Sequence, residues 1–299
     1  MSAVPQVNRI LSVSLGVRDL AASETFYETV WGLRRTHAEN GKTYFGAIGS
    51  DHHVISLSQT GLPTLLNVRF GAPSREAVQA LHDHACGLGI ELMHAPMTFA
   101  PADGGGFGFS IKAPEGQIFT ILTEGAARVL EHLDAAPTKL SHLVFNSAKI
   151  DQMTEFFIDV LGFKLSDETA PMKFIRCSAD HHSVALAKGD GPSINHIAFE
   201  MPDVDALMSG SGRLRREGYN IEWGVGRHGP GNNIFSYFIE PNGFVVEYTT
   251  GMQQIDEATY KPETAAYWSS FPKRPCRWEM ATRPSDRLVE AFSGKIAQL

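Results

Sequence analysis

Along residues 10–33, ILSVSLGVRDLAASETFYETVWGL, an apolar run of strand character passes into an amphipathic helical stretch and stops at a glycine, where a helix closes. The same order returns at 140–163, LSHLVFNSAKIDQMTEFFIDVLGF. Laid over one another, Leu20 meets Ile150, Tyr27 meets Phe157 and Gly32 meets Gly162. A second pair follows. LLNVRF (65–70) precedes the helical stretch PSREAVQALHDHACGLGIEL, and INHIAF (194–199) precedes DVDALMSGSGRLRREGYNIEW. Both close alike, as strand, Pro-x-Gly turn and strand: FSIKAPEGQIFTIL at 109–122 and FSYFIEPNGFVVEY at 235–248. The pattern predicts four βαβββ units near residues 10–57, 63–123, 139–187 and 193–249. They pair into two similar domains, 1–136 and 137–299, the second ending in a tail from about residue 251. The expected fold is α+β, with helices on one face of curled mixed sheets that each surround a cavity. Gly210 and Gly212 weaken the helix of the fourth unit, and Trp268 and Trp278 of the tail are expected to pack against the body.

The repeat lets one half be compared with the other. His142 in the first strand of the third unit faces Ser12 in its counterpart, His196 faces Asn67, and Glu247 faces Thr120. Strand alternation puts His142 on one face with Leu140 and Val144, opposite Leu143 and Phe145; His196 is opposed to Ile197, and Glu247 alternates with Val246 and Tyr248. The three polar groups then share the concave side of the sheet. A carboxylate buried there costs several kcal/mol unless it is paired or binds metal. A lone strand histidine is ordinarily a hydrogen-bonded core residue. Three ligand types at repeat-equivalent positions reverse that reading, and two imidazoles with one carboxylate form the facial triad of non-haem Fe(II) sites. The same half also holds His182 in the doublet His181-His182, His228 in GRHGPG, and Tyr237 in FSYF.

Composition narrows the partners. The 299 residues are 43% hydrophobic and 20% charged, as in a soluble globular protein, and Lys+Arg 26 against Asp+Glu 33 leaves a formal charge of −7. That balance argues against a general nucleic-acid or anionic-membrane binder. The basic cluster Arg213, Arg215, Arg216 reads as a solvated helix face. The 3 cysteines have no CxxC spacing, and no apolar run suggests a signal peptide or a membrane span, so a cytoplasmic protein is expected.

LSHLVF (140–145), HSVAL (182–186), INHIAFEM (194–201) and GRHGPGNNIFSYFIEPNGFVVEY (226–248) resemble the type I extradiol dioxygenases of the vicinal oxygen chelate superfamily. The resemblance implies Fe(II) on His142, His196 and Glu247, with Mn(II) accepted by the same ligand set. It also implies a reaction site lined by His182, His228 and Tyr237, and a metal-free N-terminal half. The implied substrates are a small aromatic diol of one or two rings and O2, in a protein that forms homo-oligomers. Met172, Phe174, Ile175 and Phe235 are expected near the mouth, and Asn232 stands in the loop after His228 where relatives carry a polar residue. The same fold also hosts glyoxalase-like isomerases, thiol transferases and metal-free binding proteins.

Overall fold

The computed structural model of the chain describes residues 4–49, 52–123, 125, 134–271 and 276–294. Two mixed sheets of eight strands carry the fold. The first is built from β1 (Arg9–Val17), β2 (Arg34–Glu39), β3 (Lys42–Gly46), β4 (Ile55–Gln59), β5 (Thr64–Gly71), β6 (Leu92–Thr98), β7 (Phe107–Lys112) and β8 (Ile118–Leu122). The second repeats it with β9 (Lys139–Ser147), β10 (Lys164–Glu168), β11 (Met172–Arg176), β12 (Val184–Lys188), β13 (Ser193–Glu200), β14 (Trp223–Arg227), β15 (Ile234–Ile239) and β16 (Val245–Thr250). Their orders, β2-β3-β4-β1-β5-β8-β7-β6 and β10-β11-β12-β9-β13-β16-β15-β14, are the same topology twice. In both, the antiparallel pair at the middle joins two βαβββ units, as the internal repeat predicts.

Each unit has one helix: α1 (Leu20–Thr25), running on as a π-helical turn over Phe26–Trp31, then α2 (Arg75–Gly87), α3 (Ile150–Leu161) and α4 (Val204–Arg216), and the tail adds two short ones, α5 (Ala265–Ser270) and α6 (Asp286–Phe292). The first and third end at Gly32 and Gly162, whose φ values of 92° and 72° are the left-handed closure a side chain resists. The helix with the two internal glycines is continuous. A Cβ on Gly210 would stand 2.9 Å from the Tyr248 ring, so the missing side chain lets α4 seat against β16. Under the helices runs one apolar core shared by both halves, holding Val13, Leu15, Phe70, Phe119, Leu143, Phe145, Ile197 and Tyr248 among others. Among the described residues no helix is long and apolar enough to cross a membrane.

The halves interlock by a reciprocal device. Each Pro-x-Gly turn sends its middle residue to the helix start of the other half. Asn242 Oδ1 accepts from the amides of Arg18 (2.9 Å) and Asp19 (2.8 Å), ahead of α1. Glu115 Oε1 accepts from Ala148 (2.9 Å) and Lys149 (3.2 Å), ahead of α3. Both satisfy amide groups at a helix entrance that would otherwise lack partners. Arg213 departs from the expected solvated face: its guanidinium donates to the carbonyls of Val30, Trp31 and Ala135 and to Tyr248 Oη. Arg215 and Arg216 remain exposed. Half-buried carbonyls at the end of the first helical segment attract the one arginine of the three that faces them.

Glu240, beside this turn, is buried and accepts from Ser23 Oγ (2.7 Å) and from the amides of Asn242 (2.7 Å) and Phe244 (3.1 Å). Burial nevertheless outweighs these bonds and pushes its carboxyl up to about 7. The folded protein therefore keeps a proton that the unfolded chain releases near 4.5. The resulting stabilisation is complete below that value and is lost as pH rises through about 7. Glu240→Gln should remove this loss. Urea midpoints measured between about pH 5 and 8 should agree for wild type and variant at the acid end, and the variant should be the more stable, by up to a few kcal/mol, at the alkaline end.

Candidate metal centre

His142, His196 and Glu247 come from β9, β13 and β16, three adjacent strands at the middle of the second sheet. Ala198 is paired with both His142 and Glu247, so the two side chains flank a residue too small to fill the space between them. His142 Nε2 lies 3.2 Å and His196 Nε2 3.3 Å from Glu247 Oε2. One ligand atom from each residue falls within 4.8 Å of the others. All three are buried, Glu247 completely. Yet Glu247 Oε2 and His196 Nε2 make no hydrogen bond. Buried polar atoms left this way are costly unless something else binds them. Converging, orphaned lone pairs from two imidazoles and a carboxylate suit a divalent cation. Burial alone would raise the Glu247 carboxyl; the His142 and His196 rings outweigh it and hold the group well below the usual carboxylate range.

Two bulges explain how strands of simple alternation aim these groups. Register slips between Ala198/Phe199 and His142/Leu140, so Leu140 leaves the face of His142 and joins the apolar core, contrary to strict alternation. A second slip, between Ile194 and His196, leaves Asn195 as the extra residue. Each histidine of the triad has its Nδ1 met by the residue before it, Ser141 Oγ at 3.2 Å and Asn195 Oδ1 at 2.8 Å. With the proton on Nδ1, both Nε2 lone pairs turn toward Glu247.

Around the triad stand the other expected side chains. The His182 ring is 4.4 Å from that of His142 by centroids, in the turn before β12 rather than in the strand. Its Nδ1 is 3.0 Å from His181 Nδ1, and His181 Nε2 is 3.0 Å from Asp167 Oδ2. The other Asp167 oxygen accepts from Tyr260 Oη and the amide of Glu263, both at 2.8 Å. Burial, with neighbouring histidines, drives His182 well below its ordinary value. His228 Nε2 is 3.0 Å from Tyr237 Oη and 3.9 Å from Glu247 Oε1. Burial lowers His228 to about 4 and raises Tyr237, which Glu247 raises further. At neutral pH the metal-free site thus has neutral His182 and His228 and a protonated Tyr237.

Phe174 lies against His182, ring centroids 5.2 Å apart, and forms an apolar cluster with Val144 and Ala185 against which Met172 packs. Phe235 stacks on His228 at 4.0 Å. Ile175, expected at the mouth, lies on the opposite face in the main core, because alternation turns it away from Phe174. Asn232 is drawn to the tail, its carboxamide accepting from Arg277 and its carbonyl from Arg227. It is Asn233 whose Nδ2 reaches Thr249 Oγ1 (2.8 Å) and, at 3.5 Å, Glu247 Oε1. Sequence reasoning overlooked Ser141, Asn195, Asn233, Asp167, Trp223 and Phe292. A polar residue directly before each strand histidine was the one readable signal. Trp223, stacked on Tyr237, and Phe292 are reached only through tertiary contacts.

In the first half the equivalent of Ala198 is Arg69, paired with Ser12 and Thr120. Ser12 bonds His53, and Thr120 bonds Asn67, so each counterpart position has a hydrogen-bond partner, and Arg69 itself is buried. The Arg69 guanidinium reaches the Asp103 carbonyl and lies over the Phe99 ring.

A profile of the glyoxalase/bleomycin resistance protein/dioxygenase superfamily matches residues 139–248, the segment that contains all three candidate ligands. The Mn(II)-bound glyoxalase from Novosphingobium aromaticivorans is 36% identical, with 94% of each chain covered and a TM-score of 0.85. The chain belongs to this superfamily. Among curated relatives, metapyrocatechase 2 of Cupriavidus necator is 31% identical over 146 residues, 48% of this chain and 44% of that protein, so the chain spans less than half the length of this relative. The 3-methylcatechol 2,3-dioxygenase of Pseudomonas putida is 25% identical over 272 residues, covering 83% and 91%.

Adding Mn(II) or Fe(II) anaerobically to chelator-treated protein should raise its thermal midpoint, since the ligand atoms converge only in the folded state. Glu247→Gln should abolish the rise. An unchanged rise in that variant would place the metal elsewhere.

Proposed function

We propose that this superfamily member is an extradiol dioxygenase that opens the ring of a catechol-type diol with O2, using Fe(II) on His142, His196 and Glu247. The observation that carries the reading is the buried facial set of two imidazoles and one carboxylate with proton-handling groups on both sides of it. When bound, Fe(II) supplies Lewis acidity toward the substrate oxygens and the redox capacity toward O2 that Zn(II) lacks. Mn(II) accepts the same donors.

The chain's own groups divide the remaining work. His182 faces the site from a hydrogen-bonded line through His181 to Asp167, which holds its ring in place and shares its Nδ1 proton. Burial disfavours its imidazolium form, so a proton accepted at Nε2 from the diol is readily handed back when the ring opens. Tyr237, kept protonated, donates a hydrogen bond to a substrate oxygen, while His228 holds that hydroxyl in line or takes up its proton. Val144, Phe174 and Ala185, with Met172 beside them, offer an apolar wall to the ring edge.

The glyoxalase likeness favours a second reading, a metal-dependent isomerase on the same triad. The two differ in what they consume. Fe(II)-loaded protein given mono- and bicyclic catechols should take up O2 and form a yellow product, and His142→Ala should abolish both. Absence of uptake with stoichiometric iron, together with turnover of a thiohemiacetal, would establish the isomerase instead. His182→Ala should lower kcat by about 10²–10⁴ while iron content holds. Loss of iron in that variant would contradict its acid–base role.

A further inference from the structure

The C-terminal tail reaches the metal centre. Its last described helix, α6 (Asp286–Phe292), buries Leu288 and Ala291 in a separate apolar cluster with Phe235, Tyr237, Ile239 and Val245, on the concave side of the second sheet. The Phe292 ring sits 5.9 Å from His196 and 5.6 Å from Tyr237 by centroids. Its main-chain carbonyl accepts from Asn146 Nδ2 at 2.6 Å and from Asn195 Nδ2 at 3.2 Å.

Those bonds determine a proton position. Asn146 donates through Nδ2 to Ser193 Oγ (2.8 Å) and to the Phe292 carbonyl, which leaves its Oδ1 to accept from Asn195 Nδ2 at 2.9 Å. Asn195 Nδ2 therefore faces two oxygens, and one of them is a main-chain carbonyl, which never donates. Turning the Asn195 amide over would set oxygen against oxygen at both contacts. Its Oδ1 is thus held toward His196 Nδ1, 2.8 Å away, which must supply the hydrogen. The Nε2 of the same ring is left with its lone pair pointing at Glu247.

We propose that the tail helix is a working part of the metal centre. The Phe292 carbonyl, through Asn195, holds His196 in its Nδ1–H tautomer and so presents Nε2 as a ligand. Asn195 and Phe292 are positioning residues, and the inference rests on the reading of His196 as a ligand. The bulge at Asn195 is what frees this side chain to reach the tail. A metal-binding histidine loses affinity when the partner of its other nitrogen is removed, typically by about ten- to hundred-fold.

The test uses the full chain in wild-type, Asn195→Leu, Ala291→Asp and Phe292→Ala forms. Ala291→Asp puts a charge into the buried seat of α6 and displaces the carbonyl, whereas Phe292→Ala removes the ring and keeps the carbonyl. Mn(II) titrated calorimetrically into each metal-free protein should bind about ten- to hundred-fold more weakly in the first two variants, and close to wild type in Phe292→Ala. Long-range 15N–1H spectra of the metal-free proteins should show His196 protonated at Nδ1 in wild type and as a tautomer mixture in Asn195→Leu. Unchanged tautomer and affinity in Asn195→Leu would overturn the inference, as would a loss in Phe292→Ala equal to that in Ala291→Asp. Should Ala291→Asp fail to fold, as seen by circular dichroism, Asn195→Leu decides alone. If wild-type protein binds no Mn(II), the metal-centre reading fails, and the tautomer spectra still judge the Asn195 relay.

Discussion

Glu247 stands at the middle of the second sheet with none of its surface in water, and much of the surrounding structure answers to that placement. A carboxylate in such a position demands positive charge or hydrogen-bond donors. His142 and His196 converge on one of its oxygens, Ala198 keeps the space between strands open, and Asn233 approaches the other oxygen. The first half shows the alternative solution to the same geometry. There the central position is Arg69, the carboxylate position is Thr120, and Ser12 and Asn67 bond their neighbours. The same strand positions thus carry an arginine in one half and a converging His-His-Glu set in the other.

Bracing of the triad falls to elements that contribute none of its residues. The sheet is braced from outside by the shared core and by the exchange of turn residues between halves. Asn242 caps the entrance of one helix and Glu115 that of its counterpart, so each half completes the other's hydrogen bonding. From the concave side it is braced by the tail, whose helix α6 packs on the strands bearing Tyr237 and Val245 and bonds the residue next to His196. Three histidines near the centre have a ring nitrogen met by a neighbour: His142 by Ser141, His196 by Asn195 and His182 by His181. These contacts hold the rings in orientation before any ligand arrives, as a preorganised site requires.

Much of this was legible in the chain. Strand and helix periodicities are local, so the four units, their order and the closing glycines Gly32 and Gly162 could be read directly. The repeat supplied its own control: His142, His196 and Glu247 stood out because Ser12, Asn67 and Thr120 occupy the matching places. Side-chain alternation then put all three on one face, since a strand reverses its side chains at every residue. Tertiary structure decided what depends on partners far along the chain. The bulges at Ser141 and Asn195 arise from mismatched pairing between β9 and β13, and they move Leu140 into the core and free Asn195 from the ladder. Arg213 finds its carbonyls on the other half, and Asn232 is taken by Arg277 of the tail. Phe292 meets His196 only because the chain returns across the concave face, nearly a hundred residues later, and no local pattern encodes where such a segment comes to rest.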